Sequence, residues 1–122
     1  MRRELEDKKE YSAIGKYLPM SPSKVRPVAN LVRGKDYTEA LAILNAVPNK
    51  GARLIKKVMI SAGENAKYLN KQLSDDSLVV SRMLVDDGPR YKKVWPRSHG
   101  RRDLLLRRTC HITVSVKEKV GE

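Results

Sequence analysis

The stretch GPRYKKVWPRSHGRR at 88–102 constrains the shape of this chain more than any other feature. Arg90, Lys92, Lys93, Arg97, Arg101 and Arg102 crowd into it without a carboxylate. Ordinary surface loops mix their signs, because like charges held close repel. A run this cationic is stable when something polyanionic lies against it. It also sits between two apolar, β-prone segments, so 78–87 pairing with about 104–116 would make it the far part of a long hairpin. Ten residues per arm would reach about 33 Å, at roughly 3.3 Å per residue. An isolated two-stranded ribbon is marginal in water, and this one repels itself. The expectation is an arm that is mobile in the free protein and ordered by its partner. Tyr91 and Trp95 bring flat side chains that either stack on bases or fold back over the hairpin, and the sequence leaves both open.

The flanking strands are legible from their alternation. Leu78 and Val80 alternate, then Met83 and Val85 continue in the opposite phase, which predicts a β-bulge near Ser81 and Arg82. In the last segment Cys110, Ile112, Val114 and Val116 point one way, while Thr109, His111, Thr113 and Ser115 point the other. The segment 11–20 reads as a short strand stopped by Pro19 and Pro22.

Between these strands the period is helical. The first helix begins near Ser21 or Ser23, either of which can cap, with Pro22 suited to the first position. Val25, Val28, Ala29 and Val32 line one face, Pro27 should distort the first turns, and Gly34 ends the helix. Thr38 caps a second helix running to about Ala46, with Leu41 and Leu44 inward. The third helix, roughly 50–70, carries a buried stripe of Ile55, Val58, Met59, Ala62, Ala66 and Leu69. The predicted fold class is α+β: three helices packed on a small antiparallel three-stranded sheet, with a long protruding β-hairpin. One domain spans 1–122, made of a charged extension (1–10), a globular body (11–87 and 104–117) and the distal hairpin (88–103).

Charge and composition narrow the function. Formal net charge is +12 and the pI about 10.0, the footprint of a nucleic-acid binder. A single cysteine, Cys110, permits no internal disulfide and reads as a core residue. No apolar run has the length of a membrane span, and the charged N-terminal stretch has no apolar signal core. A cytoplasmic protein without membrane attachment is expected. Phenylalanine is absent and aromatics make up 5% of the residues, too few to furnish a sheet face that reads single-stranded RNA.

Other constellations are weaker. The first two helices could suggest a helix-turn-helix DNA reader, but the second begins Thr38-Glu39-Ala40-Leu41, with no Lys or Arg before Lys50. Asp86, Asp87 and Asp103 could meet at the hairpin base and hold Mg²⁺ for an RNA-acting enzyme; the plainer reading is that they neutralise nearby arginines. His99 and His111 share no evident pocket. Lys24, Arg26, Arg33 and Lys35 decorate the first helix and its end, either as a solvated face or as phosphate contacts.

In order, SPSKVRPVANLVRGK (21–35), SAGENA (61–66), VDDGP (85–89) and KKVWPRSHGRRDLLLRRTCHITVSV (92–116) resemble the bacterial large-subunit ribosomal protein L-twenty-two family, over about 12–117. The spacing of Arg97, Gly100, Arg101, His111 and Ile112 is the most specific part. The resemblance implies a structural, non-catalytic constituent of the large ribosomal subunit. Its hairpin would thread into rRNA, line the nascent-peptide exit tunnel and aid assembly. It also implies rRNA contacts by Lys24, Arg26, Arg33, Lys35, Arg82, Arg90, Lys92, Lys93, Arg97, Ser98, His99, Gly100, Arg101, Arg102, Arg107 and Arg108. Arg90, Tyr91, Lys92, Lys93, Val94 and Trp95 would form a tunnel-lining tip. Implied partners are the large-subunit rRNA, neighbouring ribosomal proteins, and the nascent peptide and macrolide antibiotics near that tip. No cofactor or metal is implied.

Overall fold

Alternation at β5 (Cys110–Glu118) organises the body, because Cys110, Ile112, Val114 and Val116 are all sealed from solvent. The computed structural model describes residues 9–96, 98–100 and 102–119. Within them β5 is the central strand of an antiparallel sheet, flanked by β1 (Glu10–Leu18) and β2 (Leu78–Asp87). The helices α1 (Pro22–Val32), α2 (Tyr37–Ala46) and α3 (Lys50–Leu69) build the layer that covers its apolar face. A second ladder joins β3 (Tyr91–Pro96) to β4 (Arg102–Arg107). This is the predicted α+β class, with the arm as a separate two-stranded sheet.

The phase slip in β2 is a bulge where the alternation places it. Val80 pairs with Val116 and Arg82 with Ser115, so Ser81 is the extra residue. Its hydroxyl donates to the Ser115 carbonyl at 3.1 Å. The bulge returns Met83 and Val85 to the face already held by Leu78 and Val80, so all four are buried. Ser115 and Thr109, expected on the outer face, are buried as well. Thr109 is enclosed where the chain leaves the body for the arm, close against Gly88.

Several helix details differ from expectation. Ser21 holds the N-cap position of α1, but its hydroxyl bonds Ser23 Oγ at 2.8 Å rather than a backbone amide. The helix continues through Pro27 to Val32. The N-cap of α2 is Asp36, not Thr38. A bridge to Val79 and an ion pair with Lys119 at 3.2 Å hold Asp36 extended, so the helix starts at the next residue. Tyr37 is thereby buried, against a glycine of α3: a Cβ on Gly63 would overlap the Tyr37 ring. Burial, then the nearby Asp75 carboxylate, push the Tyr37 phenol above its ordinary range. In α3 the stripe is buried from Ile55 to Ala66, but Leu69 is 70% exposed. It is the last residue of the helix and lies beside the start of β1, where no described residue covers it.

The largest difference is the hairpin register. β2 pairs with 110–118, from Leu78 opposite Glu118 to Asp87 opposite Cys110, rather than with 104–116. The ladder stops at Gly88 and Pro89 and resumes at Tyr91 opposite Arg107. Pro89 has no amide to donate. Gly88 fits only because it lacks a side chain, since a Cβ there would meet Thr109. The extension before residue 9 lies outside the described residues.

Candidate nucleic-acid interface

The joint between body and arm is a small hydrogen-bonded knot. Gly88 N–H donates to the Thr109 carbonyl at 2.9 Å, and the Thr109 hydroxyl donates to the Pro89 carbonyl at 2.7 Å. These two bonds fix where the arm leaves the sheet. Beyond them, among the described residues, no helix makes more than marginal contact with β3 or β4. The ribbon carries exposed apolar side chains at Tyr91, Val94 and Leu106, which on a water-facing ribbon gain nothing from burial. Its six paired positions extend the ladder by about 20 Å.

Along the ribbon the register opposes Lys92 to Leu106, Lys93 to Leu105 and Pro96 to Arg102. Arg90, in the joint, is exposed, as are Arg107 and Arg108 on the returning side. No carboxylate among the described residues pairs with Arg90, Lys92, Arg107 or Arg108. Residues 90–95, expected at the tip, form the joint and outgoing strand instead. The chain reverses beyond Pro96 through Ser98–Gly100, where His99 (φ 64°) and Gly100 (φ 73°) take left-handed conformations. Arg97 and Arg101 lie outside the described residues.

The body cations divide into two groups. Lys24, Lys35 and Arg82 are exposed. Arg26 and Arg33 instead reach across to β2. Arg33 Nη2 donates to the Met83 carbonyl at 2.7 Å and Arg26 Nη2 to the Val85 carbonyl at 3.2 Å. β2 is an edge strand whose outer side faces α1 and its following turn. Val80 N–H donates to the Lys35 carbonyl at 2.9 Å, so backbone and arginines together cover this edge. Covered edges do not pair with a second chain.

The ladders hold Asp86 and Asp87 apart from Asp103. Asp86 and Asp87 stand opposite His111 and Cys110 in the body ladder. Asp103 stands opposite Trp95, near the far end of the arm. Among the described residues no group of three or more His, Cys, Asp or Glu could hold a metal ion. The histidines are at opposite ends of the arm. His99 is in the reversal, and His111 Nδ1 accepts the Tyr17 backbone N–H at 3.0 Å. An accepting Nδ1 carries no proton, so His111 is tied to structure on that side. Among the described residues, no helix is long and apolar enough to cross a membrane.

Sequence reasoning missed Tyr17 and Thr109. Tyr17 is a non-glycine residue at φ 56°, a conformation that costs on the order of 1 kcal/mol. Its ring stands edge-on to His111, centroids 5.0 Å apart. Nothing in YSAIGKYLPM distinguishes this tyrosine from Tyr11, which is buried.

A small α+β body with an uncovered, cation-dense ribbon is the build of a ribonucleoprotein component. The family model described as Ribosomal protein L22p/L17e matches residues 13–117, and the chain belongs to that family. Large ribosomal subunit protein uL22 of Borreliella afzelii (strain PKo) is 54% identical over 111 residues, covering 91% of this chain and 92% of its own. The uL22 protein of Borrelia recurrentis (strain A1) is 54% identical over 112 residues, covering 92% and 93%. That of Treponema denticola is 55% identical over 112 residues, covering 92% and 95%. The chain is thus a structural, non-enzymatic constituent of the large ribosomal subunit, in the cytoplasm.

Proposed function

We propose that the arm binds large-subunit rRNA, aids subunit assembly, and lines the nascent-peptide exit tunnel with its distal part. The observation that carries this reading is the ribbon itself. It is two strands wide, uncovered by any helix, and has exposed cations without carboxylate partners among the described residues. Such a ribbon lacks the third strand or covering helix that independent stability requires. A polyanionic wall supplies both the missing contacts and the missing counter-charge. Duplex RNA hides its base edges in a deep narrow groove, so a thin basic arm reads shape, phosphates and loops.

In this reading Arg90, Lys92, Lys93, Arg97, Arg101, Arg102, Arg107 and Arg108 meet phosphates, and Ser98, His99 and Gly100 approach the RNA backbone at the reversal. Lys24, Lys35 and Arg82 add contacts from the body, while Arg26 and Arg33 offer only the donors that β2 does not use. The strand bearing Arg90, Tyr91, Lys92, Lys93, Val94 and Trp95 borders the path of the nascent peptide and the macrolide site. Neighbouring ribosomal proteins meet the body.

Replacing Arg97, Arg101 and Arg102 together by alanine tests the reading. Affinity for a large-subunit rRNA transcript should fall with an unchanged thermal midpoint; a large stability loss would mean these residues serve the fold. If five of the six cations of 88–102 each fully neutralise a phosphate, log affinity of the wild type falls on log salt with a slope of about −4 from these residues alone. Particles lacking residues 91–93 should assemble and respond differently to macrolides; failure to assemble would make this strand an anchor instead.

A further inference from the structure

At the root of the arm an open cleft of about 710 Å³ lies between body and ribbon. Lys24, Lys50, Arg107 and Arg108 line it together with Tyr17 and Tyr91, and among the described residues no Asp or Glu does. Both rings are more than half exposed, Tyr17 at 61% and Tyr91 at 55%. Exposed aromatics beside unopposed cations are the two components of a single-strand RNA seat: a face for a base and charge for its phosphate.

Two helix starts strengthen the case for an anion. Lys24 lies in the first turn of α1 and Lys50 opens α3. Neither helix has an acidic residue in its first turn or a side chain bonded to its N-terminal amides. A smaller depression of about 370 Å³, bordered by Lys24, Asn49 and Lys50, connects the two starts. Uncapped N-terminal amides and the positive end of the helix dipole favour a phosphate. On the opposite side the Tyr17 ring is held in place. Its backbone is left-handed, its amide is bonded to His111 Nδ1, and its ring rests edge-on against the imidazole.

We propose that this cleft receives one unpaired nucleotide of the rRNA, its phosphate toward the starts of α1 and α3 and its base against Tyr17. The proposal rests on the reading that the protein binds rRNA. It adds a fixed seat on the body, in contrast to contacts distributed along the arm. Tyr17 and Lys50 are its distinguishing residues, because neither belongs to the arm.

The test uses the full chain and a large-subunit rRNA transcript, with affinity titrated at several salt concentrations and ultraviolet cross-links mapped by peptide mass spectrometry. Tyr17→Asn removes the ring while keeping a residue that tolerates the left-handed backbone. It should weaken binding about fivefold or more, while Tyr17→Phe binds as the wild type does. Lys50→Ala should make the salt slope shallower by about 0.7–0.9. A cross-link joining the peptide that contains Tyr17 to a single-stranded nucleotide is expected. If the wild type does not bind the transcript, the rRNA reading fails and this proposal with it. If it binds, but Tyr17→Asn and Lys50→Ala behave as wild type and cross-links fall only on the arm, the cleft proposal alone is overturned. A normal Tyr17→Asn with an altered Lys50→Ala slope would mean a phosphate contact without a seated base, and would also overturn it. Cross-linking of Lys50 to a neighbouring protein in intact subunits would assign the cleft to that protein instead.

Discussion

Arg33→Ala separates two roles that a helix arginine can play in a basic protein. Its guanidinium donates to the Met83 carbonyl at 2.7 Å and to Asn30 Oδ1 at 2.7 Å. The first bond is charge-assisted, partly buried and made to an edge strand, so the ladder offers that carbonyl no substitute. Such bonds contribute about 1.5–3 kcal/mol when well sheltered. The side chain here is exposed, and water can reach the carbonyl once it is removed, so about 1–1.5 kcal/mol is the better figure. The Asn30 bond lies on the exposed helix surface and adds little. For a domain of this size the loss lowers the thermal midpoint by about 4–6 °C. Arg26→Ala, which removes only a 3.2 Å bond to Val85, should cost less. Thermal and urea melts of the free protein, followed by far-ultraviolet circular dichroism, read the effect. The urea slope should not change, because the same surface is exposed on unfolding. An Arg33→Ala protein with an unaltered midpoint but weakened rRNA affinity would refute the reasoning and assign this guanidinium to a phosphate.

Gly63→Ala should destabilise the body by about 1–2 kcal/mol. The added Cβ meets the buried Tyr37 ring, an overpacking cost of about 1–3 kcal/mol, which the better helix propensity of alanine only partly offsets; a midpoint equal to or above the wild type would show that the ring moves freely. Cys110, fully buried at the start of the central strand with its thiol pushed up by desolvation, should resist thiol reagents at pH 8 and react promptly in urea; rapid native labelling would mean the sheet opens locally. The same shift has a sign. The native state holds the thiol proton more tightly than the unfolded chain, so its contribution to stability is complete below the ordinary thiol value of 9.0 and is lost as pH rises through the higher native value. A Cys110→Ala variant whose stability declines as steeply above pH 9 as the wild type would contradict this.

Local pattern determined much of this protein. Alternation at β5, the phase slip at Ser81, the helical stripe from Ile55 to Ala66 and the acid-free run after Gly88 are each short-range periodicities or charge densities. The backbone geometry of a strand or helix converts them directly into buried faces and a solvent-exposed ribbon. The order of motifs carried the family. Which cations remain available did not follow from the chain alone, because Arg26 and Arg33 look no different from Lys24 until α1 is laid beside the free edge of β2. Nor did the register of the hairpin, which depends on Gly88 and Thr109 fitting against each other across the strand pair. The cleft that gathers Tyr17, Lys50 and Arg108 draws on residues far apart in sequence, and no periodicity links them. Pattern reports what each segment buries; only packing decides which segments become neighbours, and therefore which side chains are left facing outward together.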